Sequence, residues 1–205
     1  MRTDLATMTG YAIRPARAGD RDAVAAICLR TANNGQDAST CYSDPDYPGF
    51  VWALPYLALD GGIAFVLTRD EEVMGYAAGT ADTRAFEQEQ EKSWWPELRS
   101  RLARAKAATD DDRYVLDYVR TPESLPDSIV QPYPAHLHIN LLPEAQGGGN
   151  GRRLLSQLLE ALKAAGAPGV HLGVNHLNEP VTAFYGKLGF TEIARLPSII
   201  MARPL

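Results

Sequence analysis

The clearest chemical signal in the chain is the run Gln146-Gly147-Gly148-Gly149-Asn150-Gly151. Glycines let a backbone approach a phosphate closely, and the unpaired N–H groups of a helix start attract an anion. The run stands between an alternating apolar stretch that ends at Leu141-Leu142-Pro143 and a leucine-rich segment that opens with Arg152-Arg153. It therefore reads as a strand–loop–helix unit suited to an anionic ligand. A P-loop needs Gly-Lys followed by Ser or Thr, whereas this loop ends Gly151-Arg152-Arg153. A dinucleotide fingerprint needs a third spaced glycine where Leu154 stands. A glycine-rich turn that merely joins strand to helix is the remaining alternative.

Proton-transfer chemistry has separate candidates. His136, His138 and Asn140 alternate along one stretch, so a strand would place them on one face. A histidine with a pKa near ~6.5 can accept a proton at neutral pH. Asp117 and His176 are further candidate bases, and each reads equally as an ordinary core or surface residue. Two alternating histidines without a neighbouring carboxylate make a poor metal site, and no metal is expected. Cys28 falls on the apolar stripe of a helix and reads as an inert thiol; Asp110-Asp111-Asp112 reads as a solvated turn.

The pattern predicts a strand at 11–14, a helix from Gly19-Asp20 to about Thr31 capped by Asp20, and a helical stretch at 50–59. A hairpin follows, from 63–68 and 73–79 across the polar turn Arg69-Asp-Glu-Glu72. Residues 86–107 read as a charged helix broken at Pro96, and a proline-rich link runs to Pro134. Strands at 135–142 and 170–174, helices at 152–165 and from Pro180 to Leu188, and a final antiparallel pair complete the chain. The expected class is α/β (α+β): a mixed central sheet flanked by helices, in one domain over 1–205. Residues 80–134 form an insertion between the third and fourth strands, long enough to serve as a lid.

Composition excludes several functions. The chain has 205 residues with 20 basic and 25 acidic side chains, a net charge of −5, which argues against a nucleic-acid binder. Its 45% hydrophobic content suffices for a core. Two cysteines argue against a disulfide scaffold and fit a cytoplasmic location. Neither a membrane span nor a secretory signal in MRTDLATMTG is expected.

The motif Gln146-x-x-Gly149-x-Gly151 resembles the acyl-CoA signature of the GNAT acetyltransferase superfamily. Asn178-Glu-Pro-Val-Thr-Ala-Phe-Tyr185-Gly-Lys-Leu-Gly-Phe190 looks like its second signature, and Ile13-Arg14-Pro15…Asp20 and Val73-Met-Gly75-Tyr resemble its N-terminal half. Tyr133-Pro-Ala-His136-Leu-His138-Ile-Asn-Leu-Leu-Pro143, after the insertion, is similar to the acetyltransferase-like domain of O-GlcNAc hydrolases and its bacterial relatives.

The resemblance implies a GNAT-like fold and acetyl-CoA as donor. Leu141, Leu142 and Pro143 would meet the pantetheine arm, and Gln146, Gly147, Gly148, Gly149, Asn150 and Gly151 the pyrophosphate. Arg152 and Arg153 would meet CoA phosphates, one of them turning to solvent. Asn178 would bind the pantetheine arm, and Tyr185 would protonate the departing thiolate. The acceptor would be a small-molecule or peptide amine that attacks directly in a ternary complex. Trp94-Trp95 would line an acceptor tunnel or serve packing, and Asp44 and Asp46 would attract a cationic amine. A homodimer is compatible with the pattern.

One departure matters. Many relatives place a glutamate twelve residues ahead of the tyrosine, where this chain has Gly173. His136, His138 or Asp117 would then supply the base; alternatively the domain binds CoA as a sensor or interaction module.

Overall fold

The computed structural model describes residues 10–205, and the N-terminal segment considered above as a possible signal lies outside them up to Thr9. Seven strands form one sheet in the order β1-β2-β3-β4-β5-β7-β6. They are β1 (Tyr11–Pro15), β2 (Gly62–Arg69), β3 (Glu72–Thr80), β4 (Ala135–Leu141), β5 (Gly169–Val174), β6 (Thr191–Arg195) and β7 (Ile199–Pro204). Every pairing is antiparallel except β4 with β5. This is the mixed sheet that the sequence predicts. The last hairpin forms as expected, with β7 inserted between β5 and β6.

Helix α8 (Asn150–Ala164) packs along β2, β3 and β4. Its leucines at 154, 155, 158, 159 and 162 are all buried, and each fully buried leucine contributes about 1.5–3 kcal/mol. The other face of the sheet carries α1 (Arg21–Thr31) and α3 (Pro55–Ala58). The alternation along β4 confirms this division: Asn140 donates to Thr31 Oγ1 of α1, while Leu141 lies near Gly151 of α8.

Residues 80–134 hold α4 (Thr83–Glu89), α5 (Trp95–Arg101), α6 (Asp110–Arg120) and α7 (Asp127–Val130). Of these, α5 and α6 join α2 (Tyr47–Trp52) in a second core around Phe50, Leu54, Trp95, Val115 and Val119. The expected break at Pro96 takes another form. A π-helical turn, Gln90–Trp94, precedes it, and Trp95 N–H reaches back to Gln90 C=O. This shift of register brings Pro96, which lacks an N–H, into the first turn of α5, where no donor is required.

Other local expectations are corrected. Asp20 does not cap α1 through its side chain; its carboxylate takes Arg14 at 2.7 and 2.8 Å and the Arg17 N–H at 2.7 Å. Pro180 does not open a helix. A 3-10 turn, His176–Val181, starts earlier because Asn175 accepts from Leu177 N–H, and α9 covers only Thr182–Gly186.

Asp112 is no part of a solvated turn: it is fully buried in the first turn of α6. Burial pushes its carboxyl pKa up, and hydrogen bonds from Ser43, Ala108 and Thr109 N–H outweigh that effect, leaving it below the ordinary value. Asp112→Ala leaves three N–H groups without their acceptor and is expected to cost about 3 kcal/mol. Urea unfolding checks this; a loss below about 1 kcal/mol would mean that solvent replaces the carboxylate.

Candidate active site

The site begins where β4 and β5 part. They pair only at Ala135↔Val170 and His136↔His171, whereas β4 stays with β3 as far as Leu141 and β5 stays with β7 through Val174. Leu142 N–H donates to Met74 C=O on the β3 side, so the alternation turns the Leu137 C=O and the main-chain groups of Ile139 and Leu141 toward the gap, the Leu137 N–H being used in the last pairing with β5. This corrects the expectation for Leu142, whose N–H is committed to β3. Pro143 lacks an N–H and opens the 3-10 turn Pro143–Ala145.

Because β4 and β5 run parallel, the segments that leave them emerge at the same end of the sheet. The glycine loop follows β4, and the Asn178–Tyr185 segment follows β5. They meet directly: a Cβ on Gly151 would lie 3.5 Å from the Phe184 ring. Gly147, Gly148 and Gly149 have φ of 78°, 55° and 81°, a left-handed run that side chains disfavour. It carries the chain around to the start of α8, whose first N–H groups have no partner within the helix.

The predicted loop residues divide. Gln146 folds back so that its Nε2 donates to Leu141 C=O at 3.1 Å. Asn150 does not line the loop with its side chain; it is buried and donates to Ala145 C=O at 3.0 Å. Arg152 and Arg153 are both exposed, and Arg153 reaches Tyr11 C=O at 3.4 Å. Asn178 is half-buried, with its backbone N–H bonded to Asn175 C=O. Tyr185 packs between Phe184 and Phe190, and burial pushes its hydroxyl up to about 12.

On the opposite face of β4 lies a directed chain of hydrogen bonds. Thr83 Oγ1 donates to Pro134 C=O at 2.7 Å, because a carbonyl can only accept. Thr83 Oγ1 must therefore accept from His136 Nδ1, 2.8 Å away. A neutral His136 then presents a bare Nε2, which takes the Tyr56 hydroxyl proton at 2.7 Å. The Tyr56 oxygen accepts in turn from His138 Nε2 at 3.2 Å. His138 Nδ1 is left as the free acceptor of the chain. Burial, with smaller repulsion from His138 and His171, holds His136 well below the usual histidine range; burial chiefly lowers His138 to about 4. Both rings are thus neutral at pH 7.

His136, His138 and Gly173 line one cavity of about 350 Å³, together with Trp52, Tyr56 and Trp95. The insertion supplies part of its wall. Trp95 lines it, whereas Trp94 ties α2 down by donating to Phe50 C=O.

Asp117 does not join the histidines: it is exposed on α6 and paired with Arg120 at 2.7 Å. His176 is bonded to Leu196 C=O at 3.0 Å. Asp46 pairs with Arg101 at 3.6 Å, Asp44 accepts from Asp46 N–H, and neither lines the cavity. Among the described residues no group of three His, Cys, Asp or Glu could hold a metal ion.

The sequence alone did not single out Tyr56, Thr83 or His171. Tyr56 is 80 residues from His136, so no local pattern links them. His171 sits beside His136 with ring centroids 5.8 Å apart, and its Nδ1 donates to Tyr133 C=O. Parallel pairing of the two histidine-bearing strands was the signal that could have found it.

The parted strands, glycine loop and tyrosine helix agree with the comparison to known families, in which residues 31–190 match the acetyltransferase (GNAT) family. The chain belongs to the GNAT acetyltransferase family. Membership makes it an N-acetyltransferase of the GNAT type. A crystal structure of SsHAT is similar, with a TM-score of 0.86 and 39% identity over 95% of this chain and 98% of that one. A GNAT phosphinothricin acetyltransferase from Sinorhizobium meliloti, solved with AcCoA, shares the fold at a TM-score of 0.59 and 19% identity, covering 96% and 89% of the two chains. Protein O-GlcNAcase of Rattus norvegicus is 28% identical over 191 residues; these are 91% of this chain and 20% of the relative, so the chain spans about a fifth of that protein's length.

The neutral histidines also have a stability consequence. An unfolded imidazole titrates near ~6.5, whereas His138 in the fold does so at about 4. Its contribution is complete above pH ~6.5 and is lost as pH falls toward 4, with a slope of about 1.4 kcal/mol per pH unit. Urea midpoints between pH ~4.5 and ~7.5 should fall less steeply in His138→Gln than in the parent. Parallel curves would show that His138 is not held neutral.

Proposed function

We propose that the chain moves the acetyl group of acetyl-CoA to a primary amine by direct attack. The observation that carries this reading is the parting of β4 from β5, with the glycine loop and α9 meeting at its end through Gly151 and Phe184. The fit to the donor is physical. The Leu137 C=O, the Ile139 main-chain groups and the Leu141 N–H face the gap as the edge of a strand would, and a pantetheine arm carries the amides to complete it. The left-handed Gly147–Gly149 turn and the free N–H groups of α8 suit a pyrophosphate, with Arg152 and Arg153 at hand for phosphate charge. Asn178 is available to the arm. Acetyl-CoA supplies an activated acetyl thioester.

His138 Nδ1 accepts the proton of the attacking amine. Tyr56, Thr83 and His136 are positioning residues that fix the His138 tautomer. Tyr185, protonated across the physiological range, donates to the departing thiolate. The insertion at 80–134 acts as the wall and lid of the acceptor cavity. Gly173 taken alone favours a CoA-binding sensor, but a free acceptor nitrogen on the facing strand favours chemistry. Free Cys28 and Cys41 support a cytoplasmic setting. Among the described residues no helix is long and apolar enough to cross a membrane.

Gly149→Val, at φ 81°, is expected to lower acetyl-CoA affinity by tenfold or more in calorimetry while the fold persists. Retained affinity would make the loop a connector. Tyr185→Phe should reduce kcat tenfold or more with acetyl-CoA affinity unchanged; an unaltered kcat removes Tyr185 from the reaction.

A further inference from the structure

We propose that the cavity under the insertion takes a small cationic amine with a flat aromatic body, and that Gly173 sets the size it admits. The proposal rests on the acetyl-transfer reading and names its acceptor.

Charge comes first. Glu87, Glu91 and Glu123 line the cavity, and no lysine or arginine does. Arg84 and Arg99 pair with Glu87 and Glu91, but Arg84 is shared with Asp127 at 2.6 Å. Glu123 has no ion-pair partner among the described residues. Four carboxylates against two guanidinium groups leave the rim negative, a field that draws a cation. Aromatic side chains line the same space: Trp52, Tyr56, Trp95 and Tyr118 surround it with the kind of surface that suits a cation and a flat ring. A volume of about 350 Å³ lies at the small end of ligand pockets and suits one compact amine better than a length of peptide.

Gly173 supplies the selectivity. It lines the cavity together with His138, and its φ is not left-handed. A Cβ there would rest 3.4 Å from Ser198 Cβ and 3.9 Å from Ile200 Cδ1, ordinary contacts. Neither backbone nor packing requires glycine, so what it provides is space. A longer side chain at this position would occupy that space; with the proposed base on the facing strand, the room is left to the acceptor.

The chemistry balances. The entering ammonium sheds one proton to water. The amine nitrogen then bonds to the thioester carbon, the C–S bond breaks, the N–H proton passes to His138 Nδ1, and the thiolate takes the Tyr185 proton. The amide and CoA thiol leave, and solvent returns both residues to their starting states.

The test measures thiol release with acetyl-CoA for phenethylamine, tryptamine, ethylamine, spermidine and a short lysine peptide. Both arylalkylamines are expected to exceed spermidine and the peptide at least tenfold in kcat/KM. Gly173→Val should raise KM for tryptamine at least tenfold more than KM for ethylamine; Gly173→Ala should move that ratio the same way by less, and serves if the valine variant fails to fold. Glu123→Gln should raise KM about threefold and weaken its dependence on salt.

Preference for the lysine peptide or spermidine overturns the proposal, as does an equal effect of Gly173→Ala and Gly173→Val on every amine. Phenethylamine binding is also read by calorimetry without acetyl-CoA, and no binding overturns the proposal too. If acetyl-CoA fails to raise Tm, the donor reading falls, and phenethylamine binding still decides the cavity.

Discussion

Two parallel strands that pair over only two residues set the terms for the rest of this molecule. β4 is committed to β3 and β5 to β7, each through a longer antiparallel ladder, so neither can follow the other once they part after His136 and His171. The gap leaves main-chain donors and acceptors of β4 without a strand to satisfy them. Such groups require water or a ligand whose own amides can stand in. Parallel direction then sends both chain exits to one end, which is why a loop fit for phosphates and a helix bearing Tyr185 become neighbours despite the sequence between them.

The other side of β4 depends on the same strand in a different way. The chain from Pro134 through Thr83, His136 and Tyr56 to His138 has a direction only because it ends on a carbonyl, which cannot donate. Thr83 belongs to α4, the first helix of the insertion, and Tyr56 to α3. The insertion therefore wraps the cavity and also determines which nitrogen of His138 is bare. A shift of α4 by an ångström would release the Thr83 contact and allow His136 to change tautomer, and the change would pass through Tyr56 to His138.

What the sequence made legible was local. The glycine loop, the Asn178–Tyr185 spacing and the alternation of His136 with His138 each fit within a few residues, and the strand and helix order followed from periodicity. What escaped was set by partners far along the chain. Asp112 sits in a run of three aspartates that looks solvated, yet Ser43, Ala108 and Thr109 draw that one carboxylate inward. Asp20 has a capping residue's sequence position, but Arg14 offers a bidentate partner that outcompetes the helix N–H groups. Pro96 looked like a break because the reading assumed α-helical register throughout; a π turn absorbs the missing donor. Asn150 opens α8 and Leu142 lies just past the end of β4, where the sequence suggests loop and strand, and their polar groups serve the fold itself.

Burial chiefly accounts for the protonation states that the proposed acid and base need. Removal from water disfavours the charged form of either group, so it raises a phenol and lowers an imidazole. Tyr185 moves up to about 12 and keeps its proton; His138 moves down to about 4 and stays bare. At neutral pH each is in its working state without a charged partner beside it. The cost is strength, since a base of such low pKa takes a proton readily only from an amine already bonding to carbon, whose own acidity has risen. In the proposed reaction proton transfer would thereby be tied to attack, and a resting amine in the cavity would not be deprotonated by His138. A glutamate at position 173 would add a negative charge to the cavity that the two rings line and raise the pKa of both histidines, so a neutral pair on β4 and a glycine on β5 belong to one electrostatic solution.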